Sequence, residues 1–338
     1  MGQNNKTDYV YIVGAGGSGS TLLEILLGNH PEFVAMGEIE RLHLQFARGK
    51  DGKCSCGEMP KDCKFWSALA DKVREVFHVD LRSNPFDFRV SDVGWEEHLP
   101  VKNSLGSWIY RGNSRLWRYM FFRNKPILKH GIFLAKQYRK WAKRRTFVAD
   151  FVRDYHKVSA VIDNSKDYLA ALDLYETLQD RMKIIFITRD ARATTWSTLK
   201  RYYRGKGISE EELGSVRDTH QWNKSTKRIG KSWYKTNSRT MRLLKTVPES
   251  LWLHLRYEDL CHDPEGELTR IFEFLGFPYD PGKMDLKSHE VHTIGGNKIR
   301  FSPIKEIKED LSWKDNLKKN ELEIIESITG DLLKELGY

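Results

Sequence analysis

Short apolar runs alternate along this chain with longer segments in which apolar residues return every three or four positions. The apolar runs predict β-strands at 9–13, 33–36, 159–163, 183–188 and 251–256. The longer periodic segments predict helices at about 20–28, 64–76, 168–179, 192–204, 221–246, 265–275 and 319–335. Strands that alternate with helices form a mainly parallel sheet covered on both faces. The pattern therefore predicts a three-layer α/β fold.

The segment from about residue 80 to residue 150 breaks this alternation. It is rich in Arg, Lys and Trp, and its apolar residues recur at helical spacing, as in SRLWRYMFFRNKPILKHGIFLAKQYRKWAKRR. We expect two or three basic amphipathic helices there, inserted into a single domain that spans residues 1–338. A basic helix face is most often a solvated surface. The position of the insert, between a glycine-rich segment and the next strand, also fits a lid or an acceptor-binding wall.

The formal net charge of +10 favours an anionic partner, or serves solubility alone. The anionic classes are nucleic acid, a lipid surface and a polyanionic small ligand. The chain contains no apolar run of about 18 residues, and residues 1–8 are polar. We therefore expect no membrane span and no signal peptide, and a location in the cytoplasm.

A glycine-rich segment, VYIVGAGGSGSTLL at residues 10–23, joins the first predicted strand to the first helix. Such a turn binds phosphate, because a helix N-terminus offers free N–H groups and a positive dipole end. Its glycines fit the dinucleotide pattern G-x-G-x-x-G, with Glu38 placed to bind a ribose. They also fit the opening of a Walker A loop, but Ser20 stands where the lysine belongs. A kinase would further need a Mg²⁺ ligand, for which Asp163 is the candidate.

A second candidate phosphate site follows the strand at 183–188. Arg189 lies at the carboxyl end of that strand, where ligands bind in open α/β sheets. Ser197 and Arg201 follow at intervals that place them nearly on one face of the next helix. Guanidinium groups bind phosphate in a bidentate manner, so these residues fit a phosphate site. The alternative is a structural pair of Arg189 with Asp190 and a surface serine.

Four motifs in this order resemble the sulfotransferases that use 3′-phosphoadenosine 5′-phosphosulfate (PAPS). The glycine-rich segment resembles their 5′-phosphosulfate loop, and residues 189–201 resemble their 3′-phosphate site. The segments LHLRYEDLCHDPEGELTRIFEFLGFP at 253–278 and HTIGGNKIRF at 292–301 resemble later family motifs. The resemblance implies a P-loop-like fold, PAPS as donor and 3′-phosphoadenosine 5′-phosphate (PAP) as product. A donor without β- and γ-phosphates explains a P-loop-like turn that lacks the Walker lysine.

The resemblance also implies roles for individual residues. Glu38 would be the base that deprotonates the acceptor hydroxyl, with His43 as the local substitute, and Lys166 would contact the transferring sulfuryl group. The residues that would hold the 5′-phosphate are Gly16, Gly17, Ser18, Gly19, Ser20 and Thr21. Those that would hold the rest of the nucleotide are Arg189, Ser197, Arg201, Tyr257, Gly296, Asn297, Lys298 and Arg300. Relatives usually carry Arg or Lys where this chain has Gly17.

Three of the four cysteines form a C-x-C-x6-C cluster at Cys54, Cys56 and Cys63. A zinc site with His43, a local disulfide and packed free thiols are the three explanations, and packed thiols are favoured because the second pair of ligands is missing. We expect no metal. The acceptor would carry a hydroxyl on a carbohydrate, a lipid-linked sugar, a small alcohol or a tyrosine, and an anionic or lipid surface is a possible contact. Alternative functions are a nucleotide kinase or other NTPase, and a basic nucleic-acid-binding protein.

Overall fold

A five-stranded, all-parallel sheet forms the centre of the molecule in a computed structural model that describes residues 7–47, 52–91, 133–217, 219–281, 292–301 and 307–338. The strands are β1 (Tyr9–Val13), β2 (Phe33–Gly37), β3 (Ala160–Lys166), β4 (Met182–Thr188) and β5 (Trp252–Arg256). Their order across the sheet is β2-β3-β1-β4-β5. Every predicted strand is confirmed, because continuous apolar runs are typical of strands buried on both faces.

The helices lie between these strands and at the end of the chain, and each helix predicted outside the basic insert is present within a few residues of its expected bounds. They are α1 (Ser20–Gly28), α2 (Leu42–Ala47), α3 (Lys64–Phe77), α4 (Phe133–His156), α5 (Tyr168–Leu178), α6 (Ala191–Arg204), α7 (Leu213–Val216), α8 (His220–Leu244), α9 (Tyr257–His262), α10 (Pro264–Leu275), α11 (Ser312–Asn316) and α12 (Lys319–Glu335). The short helices α2, α7, α9 and α11 are additions, since a single turn carries little periodic signal.

Two apolar cores lie on the two faces of the sheet, as the three-layer prediction requires. Side chains alternate between the faces along β1, so Val10 and Ile12 join one core while Tyr9, Tyr11 and Val13 join the other. The smaller core is completed by α1 and α10. The larger core is completed by residues of α3, α4, α5, α6, α8 and α12. This arrangement leaves the carboxyl edge of the sheet for ligands.

The predicted basic insert is described only in part. Its C-terminal portion forms α4, which packs against α5 and continues to residue 156. Residues 92–132, the middle of the insert, lie outside the described residues, and the lid or acceptor-wall hypothesis stays a prediction. Within the described ranges, none of the helices is both long and apolar enough to cross a membrane.

Candidate active site

The five strands run parallel, so their carboxyl ends meet at one edge of the sheet. Each of these ends is followed by residues that the sequence analysis singled out. β1 leads into the glycine loop (residues 14–19), β2 into Glu38, β4 into Arg189 and β5 into Tyr257, while Lys166 is the last residue of β3. The central strand β1 carries the loop between neighbours β3 and β4, at the point where the connections diverge to the two sides of the sheet. This edge is the candidate active site.

The glycine loop ends at the N-terminus of α1, where Gly19 has φ of 87°. A Cβ atom on Gly19 would lie 2.2 Å from the Tyr257 ring, so this close approach requires glycine. The Ser18 hydroxyl is fully buried and has no hydrogen-bond partner among the described residues. A buried hydroxyl without a partner is costly, and it fits a loop that donates to a phosphate oxygen.

The predicted catalytic pair, Glu38 and Lys166, is in direct contact. Lys166 Nζ lies 2.5 Å from Glu38 Oε1, and Arg41 Nε lies 2.9 Å from Glu38 Oε2. Burial opposes ionisation of Glu38, but the Lys166 ammonium and the Arg41 guanidinium outweigh it, so the pKa of the Glu38 carboxyl lies below its ordinary value. Lys166 has φ of 68°, an unusual conformation for a side-chain-bearing residue that recurs at functional sites.

The turn at Gly295 and Gly296, hereafter the closing turn, packs against Glu38 of this pair. A Cβ atom on Gly295 would lie 2.8 Å from the Glu38 Cβ, and one on Gly296 would lie 3.7 Å from the Thr21 hydroxyl of α1. The Gly296 N–H also hydrogen-bonds to the Glu38 carboxylate. The closing turn therefore lies between Glu38 and the N-terminus of α1, which places the predicted base next to the glycine loop.

Glu24 of α1 contacts the segments that carry Glu38 and Lys166, and it was not identified from the sequence. Its carboxylate accepts hydrogen bonds from the Gly37 N–H at 2.6 Å and from Asn164 Nδ2 at 2.8 Å, just before Glu38 and Lys166. Burial raises the pKa of Glu24 to about 7 against these hydrogen bonds. The available signal was one carboxylate within the apolar run LLEILL, since a buried acid needs such partners.

Arg189 is held from several directions at the end of β4. Its guanidinium lies over the Tyr257 ring at 4.5 Å, and Nη2 donates to the Asp310 carbonyl at 3.1 Å. Trp233 Nε1 donates to the Arg189 carbonyl at 2.9 Å. Arg189 Nε is buried and has no acceptor among the described residues. Arg189 is thus fixed in place and retains a donor for an anion.

The other predicted 3′-phosphate residues, Ser197 and Arg201, lie on α6, with Ser197 half-buried and Arg201 exposed. Gly17 brings the glycine loop to this helix, because a Cβ atom there would lie 3.5 Å from Thr194 Cγ2 and 3.6 Å from Thr198 Oγ1. The buried hydroxyls of Thr194 and Thr195 lack partners within the described part of the chain. These two hydroxyls, which the spacing of Ser197 and Arg201 did not point to, are further candidates for a phosphate contact.

The residues at 296–300, which were predicted to close over the nucleotide, differ in the contacts that they make. Asn297 Oδ1 accepts a bond from the Ile299 N–H at 3.3 Å within its own turn. Arg300 donates to the carbonyls of Gly295 and Lys53, the latter at 2.9 Å, so it joins the closing turn to the cysteine-bearing segment. The side chain of Lys298 lies outside the described part of the structure. Contact of Asn297, Lys298 and Arg300 with a nucleotide stays a prediction.

Two alternative candidates, the kinase residue Asp163 and the substitute base His43, are buried inside the protein. Asp163 accepts a hydrogen bond from the Tyr9 hydroxyl at 2.6 Å and lies 3.8 Å from Arg145 Nη1. Its side chain is fully buried, so it is a structural residue and not a Mg²⁺ ligand of a kinase site. His43 is fully buried too and packs edge-on against Phe86 at 5.7 Å, which makes it a poor substitute for Glu38.

The cysteine cluster has a fourth member that the sequence analysis did not select. Cys54, Cys56 and Cys63 lie beside His292, and the ligand atoms of all four residues are within 4.8 Å of one another. The sequence favoured packed free thiols. In the alternative explanation, a zinc site, His43 was the candidate histidine. His292 was missed because it lies 238 residues from Cys54 along the chain.

Comparison with known proteins gives a consistent family assignment. A model of the sulfotransferase family matches residues 97–281, more than half of the chain. Carbohydrate sulfotransferase 4 from Mus musculus is 24% identical over 192 residues, which are 51% of this chain and 46% of that protein. The chain therefore matches about half the length of this curated relative.

A solved structure of a sulfotransferase shares the architecture. The sulfotransferase STF9 from Mycobacterium avium has a TM-score of 0.51 at 13% identity, covering 97% of this chain and 76% of that one. Mouse sulfotransferase SULT7A1 complexed with PAP has a TM-score of 0.46 at 12% identity, covering 99% and 88% of the two chains. The resemblance inferred from the motifs is confirmed: the chain belongs to the sulfotransferase family.

Proposed function

We propose that this enzyme transfers a sulfuryl group from PAPS to a hydroxyl acceptor by in-line displacement. The observation that carries the proposal is the Lys166–Glu38 pair beside the N-terminus of α1, with the closing turn between Glu38 and Thr21. The α1 N-terminus and the glycine loop would bind the 5′-phosphosulfate through N–H groups and the Ser18, Ser20 and Thr21 hydroxyls. No Mg²⁺ is needed for a donor that lacks β- and γ-phosphates.

Glu38 would act as base and Lys166 as the cation on the transferring group. The acceptor oxygen forms a bond to sulfur, the bond from sulfur to the 5′-phosphate oxygen breaks, and the hydroxyl proton passes to Glu38. Lys166 lowers the basicity of Glu38 while the two are paired. When Lys166 turns to a sulfuryl oxygen, Glu38 becomes a stronger base at the step that needs one.

The acceptor is proposed to carry an alcohol-type hydroxyl, and carbohydrates are the first class to test. The similarity to a mouse carbohydrate sulfotransferase supports this order of testing. The closing turn and Arg41 contact Glu38, so they would also lie close to a bound acceptor. A panel of sugars, small alcohols and tyrosine peptides, assayed with PAPS, separates the classes.

Nucleotide selectivity tests the donor assignment. We expect PAP to bind roughly 10- to 150-fold tighter than 5′-AMP in calorimetry, because a lost charge-assisted phosphate contact costs about 1.5–3 kcal/mol. Arg201→Gln should weaken PAP and leave 5′-AMP unchanged. Arg204→Gln, which alters the 70% exposed arginine one turn later on α6, is the matched control and should change neither. Equal affinity for PAP and 5′-AMP would refute the 3′-phosphate site.

A further inference from the structure

The cysteine cluster brings three thiols and one imidazole to a single point outside the proposed catalytic pair. His292 Nδ1 lies 3.2 Å from Cys63 Sγ and 3.6 Å from Cys54 Sγ. Cys54, Cys63 and His292 are buried, while Cys56 is exposed at the surface. Four zinc-binding side chains within 4.8 Å of one another are a full ligand set for a tetrahedral ion.

The distances agree with that geometry. Zinc binds thiolate sulfur at about 2.3 Å and imidazole nitrogen at about 2.0–2.1 Å, so a tetrahedral site separates sulfur from nitrogen by about 3.6 Å. The two measured sulfur–nitrogen distances, 3.2 and 3.6 Å, lie at or slightly inside this value. A disulfide between Cys54 and Cys63 would use only two of the four clustered side chains, whereas a zinc ion would bind all four.

Backbone amides are arranged to support thiolate sulfur at each cysteine. The N–H of Cys56 bonds to the Cys54 sulfur, and the N–H of Glu58 bonds to the Cys56 sulfur. The N–H of Trp66 bonds to the Cys63 sulfur, and Cys63 itself is the N-cap residue of α3. Outer hydrogen bonds of this kind orient metal ligands and steady their negative charge.

We propose that Cys54, Cys56, Cys63 and His292 bind one Zn²⁺ ion in a closed, structural Cys₃His site. Three thiolates and an imidazole in a tetrahedral set select zinc over hard cations such as Mg²⁺ and Ca²⁺. A site with four protein ligands has no open position for a substrate, so the ion stabilises the fold and takes no part in sulfuryl transfer.

The ion would fasten the closing turn to the rest of the site, a consequence that rests on the function proposed above. Beside His292, the Thr293 carbonyl accepts from the Ser55 N–H at 3.0 Å, and the Thr293 N–H donates to Ser55 Oγ at 2.9 Å. Ile294 then accepts from the Glu38 N–H at 2.7 Å. Zinc would therefore join residues 54–63 to the segment that covers Glu38.

Zinc content of the native protein tests the site directly. We expect about one zinc per chain by elemental analysis after purification without added chelator. Cobalt-exchanged protein should show the visible bands of tetrahedral cobalt bound by thiolates. Less than about a tenth of an ion per chain after purification with zinc in the medium, or a Cys54–Cys63 disulfide in mass spectra, would overturn the proposal.

A pair of cysteine variants locates the ion. Cys56→Ser alters the exposed ligand and should lower zinc affinity by at least the roughly 10- to 100-fold that loss of an outer partner costs. Cys261→Ser, the matched control outside the cluster, should keep full zinc content. Equal zinc affinity in both variants, measured by competition with a chelator, would place the ion elsewhere. If Cys56→Ser does not fold, cobalt spectra of the unaltered protein still decide the ligand set.

Removal of zinc with a chelator then separates this inference from the proposed function. If the ion fastens the closing turn, PAP affinity should fall with zinc content and recover when zinc is restored. PAP affinity that is independent of zinc content would refute the coupling. Failure of the zinc-loaded protein to bind PAP would refute the proposed function, while elemental analysis would still report on the metal site.

Discussion

The Lys166–Glu38 contact is the residue pair on which the proposed chemistry depends. Glu38→Gln keeps the shape of the side chain and removes its basicity, so PAP affinity should stay nearly constant while turnover falls by roughly 10²–10⁴. The measurements are calorimetry with PAP and a sulfuryl-transfer assay. Glu75→Gln, at an exposed carboxylate on α3, is the control and should change neither.

The same variant distinguishes this proposal from the dinucleotide hypothesis. A carboxylate that binds a ribose would weaken cofactor binding when changed to an amide. Near-full transfer with normal PAP binding would instead remove Glu38 from the mechanism. Lys166 and Arg41 both contact Glu38 and hold its pKa below the ordinary value. Both outcomes therefore concern a carboxylate that is ionised in the free enzyme.

The glycine loop and α9 restrict each other where Gly19 meets Tyr257. Gly19→Ala places a methyl group at positive φ and 2.2 Å from the ring, so we expect the free energy of unfolding to fall by about 1–3 kcal/mol. Gly16→Ala is the matched control, because no described atom lies within 4 Å of its Cβ position. Its stability should change by less than about 0.5 kcal/mol. Urea unfolding measures both, and equal losses would mean that Tyr257 does not constrain the loop.

Individual elements were predictable from the sequence because their signals are local. The apolar run 9–13 and the periodic segment 319–335 have the same bounds in the structure. Candidate residues that immediately follow strands, such as Glu38 and Arg189, lie at one edge of the sheet as expected, because parallel strands bring their carboxyl ends together.

Contacts between distant segments were not predictable in this way. The approach of Gly295 to Glu38 and of His292 to Cys54 joins residues more than 200 positions apart, and nothing in local periodicity encodes such a pairing. Glu24 illustrates the same limit, since a single polar residue in an apolar helix signals burial without naming its partners.

At the scale of the whole molecule, the described interior holds a buried carboxyl, Glu40, near the buried Asp163 and Arg145. Arg145 is fully buried and lies 3.8 Å from the buried Asp163, and Arg41 lies 4.0 Å from Glu40. Burial, and after it the Asp167 carboxylate, raises the pKa of Glu40 to about 8. The charged groups that also act on Glu40 are Asp167, Arg145, Arg41 and Glu38.

The raised pKa of Glu40 predicts how the free energy of unfolding depends on pH. The folded protein keeps a proton on Glu40 between its ordinary pKa of 4.5 and about 8, whereas the unfolded chain has released it. Because the folded state then binds more protons than the unfolded state, the free energy of unfolding falls as pH rises through that window. Glu40 lowers it by on the order of 1 kcal/mol per pH unit. Glu40→Gln mimics the protonated acid, so it should match the unaltered protein near the low end of the window and exceed its stability increasingly towards pH 8. Urea unfolding across that range, with Glu75→Gln as the exposed control, measures the difference, and a difference that does not grow with pH would show that Glu40 is charged in the folded state.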